Sequence, residues 1–362
     1  MTGAVVSLVF LYACSDATRD EPLPTSTPLA GAGGEGGAAG AGLGGRGGAA
    51  GAAGPGGSGG AAGAAGASGQ AGAAGGGGAK LMPPPFVVDP DARTRLSEAG
   101  FFADVNSTLP SAELVTFEPR FPFWSDGADK KRWLWLPPGT KVDASDVEHW
   151  RFPIGTRVYK EFALDGKRLE TRLIERTGEG PFDYWMGSFV WLEDQSDAVF
   201  AKDGAVDVLG TGHDVPEAKV CFSCHVGEPG RLLGFSAMQL EGSPVKALGL
   251  IEPPPPAAPG PPGDAVARAA FGYLHANCGF CHYDGGIAWS KTNMILRLGV
   301  GETTTVEATE IYGSTVGVPV QFFQEGGLQL RVDGGAPETS ALTFRMSYRG
   351  DDRQMPPIAS EL

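Results

Sequence analysis

FGYLHANCGFCH, residues 271–282, closes on Cys278-Gly279-Phe280-Cys281-His282, and a second copy of the same spacing, Cys221-Phe222-Ser223-Cys224-His225, lies upstream. Two cysteines three positions apart with histidine directly after them form the pattern to which haem is attached covalently. On one helical turn both sulfurs reach the two vinyl groups on one edge of a porphyrin, and the adjacent imidazole offers a nitrogen to the iron. A single C-x-x-C-H also fits a redox dithiol or half of a zinc site. Two copies in a chain of five cysteines fit haem better. Zinc ribbons set their pairs about 15–20 residues apart, far closer than Cys224 is to Cys278. The expectation is two covalently attached c-type haems. Cys221 and Cys224 hold the first, Cys278 and Cys281 the second, with His225 and His282 as iron ligands.

Working outward, residues 264–362 read as a mainly-α haem domain. Asp264 stands at an N-cap position. Val266, Ala269, Ala270, Tyr273 and Leu274 then recur at helical spacing, so a helix leads into the second motif. Residues 318–332 read as a hairpin with Gly326-Gly327 at its turn, and 337–348 as a helix with Leu342 and Met346 on one side. Arg353-Gln354-Met355-Pro356-Pro357 follows, and its two prolines restrict the backbone to an extended loop. That loop, with Ser340-Ala341-Leu342 and Arg345-Met346 before it, resembles the distal-ligand region of class I cytochromes c. The resemblance implies Met355 as the sixth ligand of the second haem, with Met346 and Met294 as alternatives. For the first haem Met238, His213, His275 and an open position all remain.

Residues 85–247 read as β-rich. Residues 131–136, 156–162, 168–174 and 184–192 are strand-like, and Asp165-Gly166 between two of them is a type I′ turn signal. Short alternating strands with Gly and Pro turns point to an antiparallel sandwich. Six of the seven tryptophans lie here and serve its packing. Leu96-Ser97-Glu98-Ala99-Gly100-Phe101-Phe102, Phe123-Trp124-Ser125-Asp126-Gly127-Ala128, Lys131-Arg132-Trp133 and Glu170-Thr171-Arg172-Leu173 also resemble an uncharacterised family of exported bacterial haem proteins. In that family the haem motif is followed by Leu-Gly and Gln-Leu, here Leu233-Gly234 and Gln239-Leu240. The resemblance spans about residues 96–240 and implies haem and export, but no reaction.

The proline-rich stretch 248–263 reads as a stiff linker between the two haem-bearing parts. At the other end, residues 1–14, MTGAVVSLVFLYAC, hold an apolar run too short to span a bilayer. Leu11-Tyr12-Ala13-Cys14 resembles a bacterial lipobox, which implies lipidation of Cys14; an ordinary signal peptide with a free cysteine is the other reading. Ser15 after that cysteine, with the same resemblance, implies the outer membrane. Residues 15–84 are dominated by Gly and Ala, offer nothing to bury, and read as a disordered tether with a reach of about 40 Å.

The expected architecture is therefore multidomain. A mainly-β, sandwich-like domain and a mainly-α cytochrome c-like domain follow a signal or lipobox and a disordered Gly/Ala-rich tether. The formal charge of −14 argues against nucleic acid and suits redox protein partners. The expected function is electron transfer in the periplasm or at the cell surface, by an exported outer-membrane lipoprotein anchored through Cys14. Two alternatives are a peroxidase-like dihaem oxidoreductase with an open first haem, and a haem-stapled binding module. No acid–base pair has a telling spacing, and His149 reads as structural.

Overall fold

The computed structural model describes residues 93–104, 107–302, 304–323, 325–348 and 353–357. The expectations for the leader, Cys14 and the tether lie outside the described residues. Along the chain the strands are β1 Val115–Thr116, β2 Asp129–Trp135, β3 Val142–Asp143, β4 Arg157–Leu164, β5 Lys167–Arg176, β6 Tyr184–Trp191, β7 Ala198–Phe200 and β8 Ile251–Glu252. Six of them make one antiparallel sheet in the order β1-β2-β4-β5-β6-β7. The Asp165-Gly166 turn closes β4 on β5 with φ of 50° and 77°. Two successive positive values are what a type I′ hairpin demands, and they match the twist of the flanking strands.

The sheet's two faces are covered differently. On one, Trp133, Tyr159, Leu173, Phe189 and Trp191 pack under Leu96, Phe101 and Phe102 from the preceding segment. Phe101 stands edge-on to Trp133 at 5.1 Å, and Tyr159 Oη donates to Ala99 O at 2.6 Å. On the other face the register line Leu134, Val158, Ile174 meets Phe117, Trp150, Phe152 and Phe235. The expected sandwich is not formed: the only other sheet among the described residues is β3 paired with β8 in parallel. Aromatic side chains from turns and irregular segments cover both faces, so no second large sheet is needed to bury them.

The helices are α1 Cys221–His225, α2 Pro244–Ala247, α3 Ala265–Asn277, α4 Glu310–Thr315 and α5 Ala341–Ser347. Asp264 caps α3 as expected, accepting from Ala267 N–H at 2.8 Å. The buried stripe of α3 is Ala267, Ala270, Phe271, Leu274 and His275, whereas Ala269 is exposed. Beyond α3 only two short α-helices and two single 3-10 turns, Glu325–Gly327 and Pro337–Thr339, occur among the described residues, so a mainly-α domain is not shown. Glycines such as Gly285, Gly286, Gly299 and Gly301 break the chain there repeatedly, and each disfavours helix. In 318–332 the two arms meet through the Pro319–Leu330 bridge, with Gly326 and Gly327 at positive φ in the turn.

The proline-rich stretch is extended yet fastened. Arg120 donates to the carbonyls of Ala258 and Pro259 at 2.8 and 3.0 Å, and Glu241 Oε2 accepts from Ala258 N–H at 2.9 Å. Ala258 and Met238 share one apolar cluster with α3. Asn277 completes the join, accepting from Trp124 N–H at 2.7 Å. Residues before and after the stretch therefore belong to one packed body. Among the described residues no helix is long and apolar enough to cross a membrane.

Candidate functional site

Just past the C-terminus of α3, Cys278 leaves the helix and accepts at its carbonyl from Cys281 N–H at 3.1 Å and His282 N–H at 3.0 Å. The second motif is thus a single turn hung on a helix end, not part of a longer helix. Its three chemical side chains line a cavity of about 360 Å³, within the size range of small-molecule sites. Met355 lines the same cavity, as do Phe280, Leu296 and Leu342. The Met355 loop is held by α5: Met355 N–H donates to Arg345 O at 3.0 Å, and Arg345 Nε donates to Arg353 O at 2.8 Å. Met294 and Met346 also reach the cavity, but both pack against the α3 cluster. Met355 is not part of that cluster.

The donors suit a neutral ligand set. Burial, then the cations Arg345 and Arg331, pushes His282 down to about 4. Its Nδ1 is buried with no hydrogen-bond partner among the described residues. Burial pushes both the Cys278 and the Cys281 thiol up to about 12. A reactive dithiol needs the opposite shift. No three His, Cys, Asp or Glu side chains converge as a metal cage among the described residues.

The first motif is the helix α1, with Cys221, Cys224 and His225 half-buried. His225 Nδ1–H donates to Arg231 O at 2.6 Å, which fixes the tautomer and leaves Nε2 as the free lone pair. Burial, with Lys160, Arg172 and Arg231 adding repulsion, pushes His225 down to about 4. Burial also raises the Cys221 thiol and takes Cys224 up to about 11. All four described cysteines are free of disulfides.

The two motifs touch. A Cβ placed on Gly227, two residues past His225, would collide with Phe280 O and stand 3.2 Å from Cys281 Sγ. Tyr283 Oη donates to Gly227 O at 3.1 Å. Beside this contact Glu228 pairs with Arg297 at 2.8 Å and His149 at 2.9 Å, so three parts of the chain meet on one buried carboxylate. His149, read as structural from sequence, is held here by Glu228 and lies against the Tyr283 ring.

No protein family, curated protein or solved structure matches this chain. The site rests on its own geometry.

Of the other residues singled out, Met238 is fully buried in the α3 cluster, among Ala258, Phe271 and Leu274, and no residue of the first motif is in that cluster. His275 accepts from Leu298 N–H at 3.1 Å and is pushed down to about 3, mainly by burial, which makes it a packing residue of α3. His213 lies nearer the first motif: its Nε2 is 3.1 Å from Glu170, which pairs with Arg172. Sequence reading missed Gly227 and the cations of the sheet. Gly227 follows its motif as any turn glycine would, and nothing local marks it as an approach point.

Proposed function

We propose that the chain is an exported dihaem c-type cytochrome that carries electrons in the periplasm or at the cell surface. The single observation that carries the reading is that Cys278, Cys281, His282 and Met355 line one apolar cavity. Those residues fit a covalently held haem: two thiols for the vinyl groups, a neutral imidazole, and a thioether on a loop tied to α5. On this reading 264–362 is the cytochrome c-like part, despite its few helices. When bound, the haem supplies a one-electron carrier. The chain's contribution is to anchor it, keep water away with Phe280, Leu296 and Leu342, and offset its carboxylates with Arg331 and Arg345, which also line the cavity. His/Met ligation favours the reduced iron.

Around the first motif, Cys221, Cys224 and His225 would hold the other haem, with Nε2 of His225 toward the iron. The contact through Gly227 puts the two attachment points back to back, which suits relay between them. The place of Met238 in the core favours a second reading, in which the first haem keeps an open position and converts a small substrate. Redox protein partners and a lipid anchor on Cys14 complete the proposal.

The test is a pyridine haemochrome assay on protein from a host competent in cytochrome maturation. Two haems per chain are expected, one in each of C221A/C224A and C278A/C281A. A colourless wild-type preparation overturns the reading. Palmitate labelling lost in C14A checks the anchor. A cyanide-induced shift of one Soret component would favour the open first haem.

A further inference from the structure

Across the sheet face that bears the first motif, one register line runs Arg132 (β2), Lys160 (β4), Arg172 (β5), Ser188 (β6). Residues directly opposite on neighbouring strands point the same way, so these four side chains form a row beneath α1. Three strand spacings of about 4.8 Å give the row a length of about 14 Å. It adjoins the apolar line Leu134, Val158, Ile174, so the sheet face changes abruptly from hydrocarbon to charge.

The row is unbalanced. Arg172 is matched by Glu170 at 2.6 Å, and Glu170 also takes His213. Arg132 and Lys160 form no ion pair among the described residues. Arg132 is only 7% exposed and Ser188 only 1%. Arg132 Nη2 and Ser188 Oγ are both buried without a hydrogen-bond partner among the described residues. Among the described residues Lys160 stacks on the Phe162 ring, 4.4 Å away, and its acidic neighbour Glu170 is already engaged by Arg172 and His213. Buried polar groups are almost always paired, and each unpaired one costs about 1–3 kcal/mol. Two such groups on one line, with an unmatched Lys between them, mark a place shaped for an anion. Burial and the neighbouring Arg132, Arg172 and Lys130 push Lys160 well below its ordinary value, so an anion there would relieve repulsion as well.

We infer that Arg132 and Lys160 bind the carboxylates of the group anchored at Cys221 and Cys224. The inference rests on the covalent-haem reading of the first motif. It has the right polarity along the row. α1 packs against β6, at the Ser188 end, so Arg132 on β2 is the far end. A porphyrin held by its vinyl edge carries its carboxylates on the opposite edge, about the length of this row away. A free oxyanion drawn to an open first haem has the same chemistry and is the competing source.

The test uses full-length protein matured in vivo, with R132L, K160M and the charge-keeping R132K. Spectroelectrochemistry resolves the two midpoint potentials, and the haemochrome count is taken on every sample. The expected result is two haems in all four proteins. R132L and K160M lower the potential of one haem only, because removing a cation disfavours the added electron, and R132K stays near wild type. Unchanged potentials with two haems overturn the inference and leave the cytochrome reading standing. No haem at the first motif overturns both. A saturable Soret shift when inorganic phosphate or nitrate is added to wild type, absent in R132L, assigns the row to a free anion and overturns the inference. If R132L fails to accumulate, K160M, which removes a half-buried group, decides the matter alone.

Discussion

Replacing Gly227 by alanine separates two effects of opposite sign. The backbone there is not left-handed, since Gly227 is absent from the positive-φ glycines. Alanine at such a position ordinarily stabilises by about 0.4–1 kcal/mol, through the lost freedom of the unfolded chain. Here the added methyl would collide with Phe280 O and stand 3.1 Å from its carbon and 3.2 Å from Cys281 Sγ. Two of those atoms are main chain, so relief requires the motifs to move apart. Overpacking of this kind costs about 1–3 kcal/mol. The net is destabilisation on the order of 1–2 kcal/mol, or a Tm lower by roughly 2–8 °C for a body of this size. Urea unfolding of wild type and G227A, followed by tryptophan fluorescence, reads the difference directly. A variant as stable as wild type, or more so, would show that the motifs do not abut and would remove the back-to-back arrangement from the argument.

Three further outcomes follow from the geometry. M355A should turn one of two low-spin haems high-spin in optical and EPR spectra; an unchanged spectrum transfers the ligand role to Met294 or Met346. E228A removes the carboxylate shared by Arg297 and His149 and leaves Arg297 only Glu148, 3.6 Å away; because that carboxylate remains, the cost should fall below the about 3–5 kcal/mol of a fully broken buried pair, at about 1–3 kcal/mol, and denaturant unfolding within about 0.5 kcal/mol of wild type would contradict it. His275 is held neutral, at about 3 against an ordinary 6.5. The unfolded chain therefore binds the extra proton first as pH falls. The contribution of His275 to stability is full above 6.5 and declines down to about 3, so H275N should flatten the stability–pH slope over that window, and identical slopes would refute the assignment.

Much of this was legible in the residues. Alternation in 129–191 marked the strands of the sheet, Asp165-Gly166 announced its hairpin, and Asp264 its helix cap, because each depends on neighbours within a few positions. The spacing of Cys278, Cys281 and His282 and the prolines after Met355 marked the members of one cavity, although not that they share it. What stayed hidden depends on distant parts of the chain. Met238 sits in an apolar segment beside the first motif in sequence, yet its partners are α3 residues about 30 positions on. The row Arg132, Lys160, Arg172 looks like ordinary strand charge until register aligns it. The second half was overread as mainly helical because local signals marked a helix only before the second motif and at 337–348, and the resemblance to cytochromes c implied the rest. The sandwich was overread because the sequence does not say that loops would do a sheet's covering.

The grip of Arg120 on residues 258 and 259 has a practical corollary. The proline-rich stretch resembles a hinge in composition, but its carbonyls are tied to the sheet side and its Ala258 to the α3 side. A single proteolytic nick there should release nothing: the two pieces should run apart on a denaturing gel and travel as one particle through a sizing column, with both motifs still in contact.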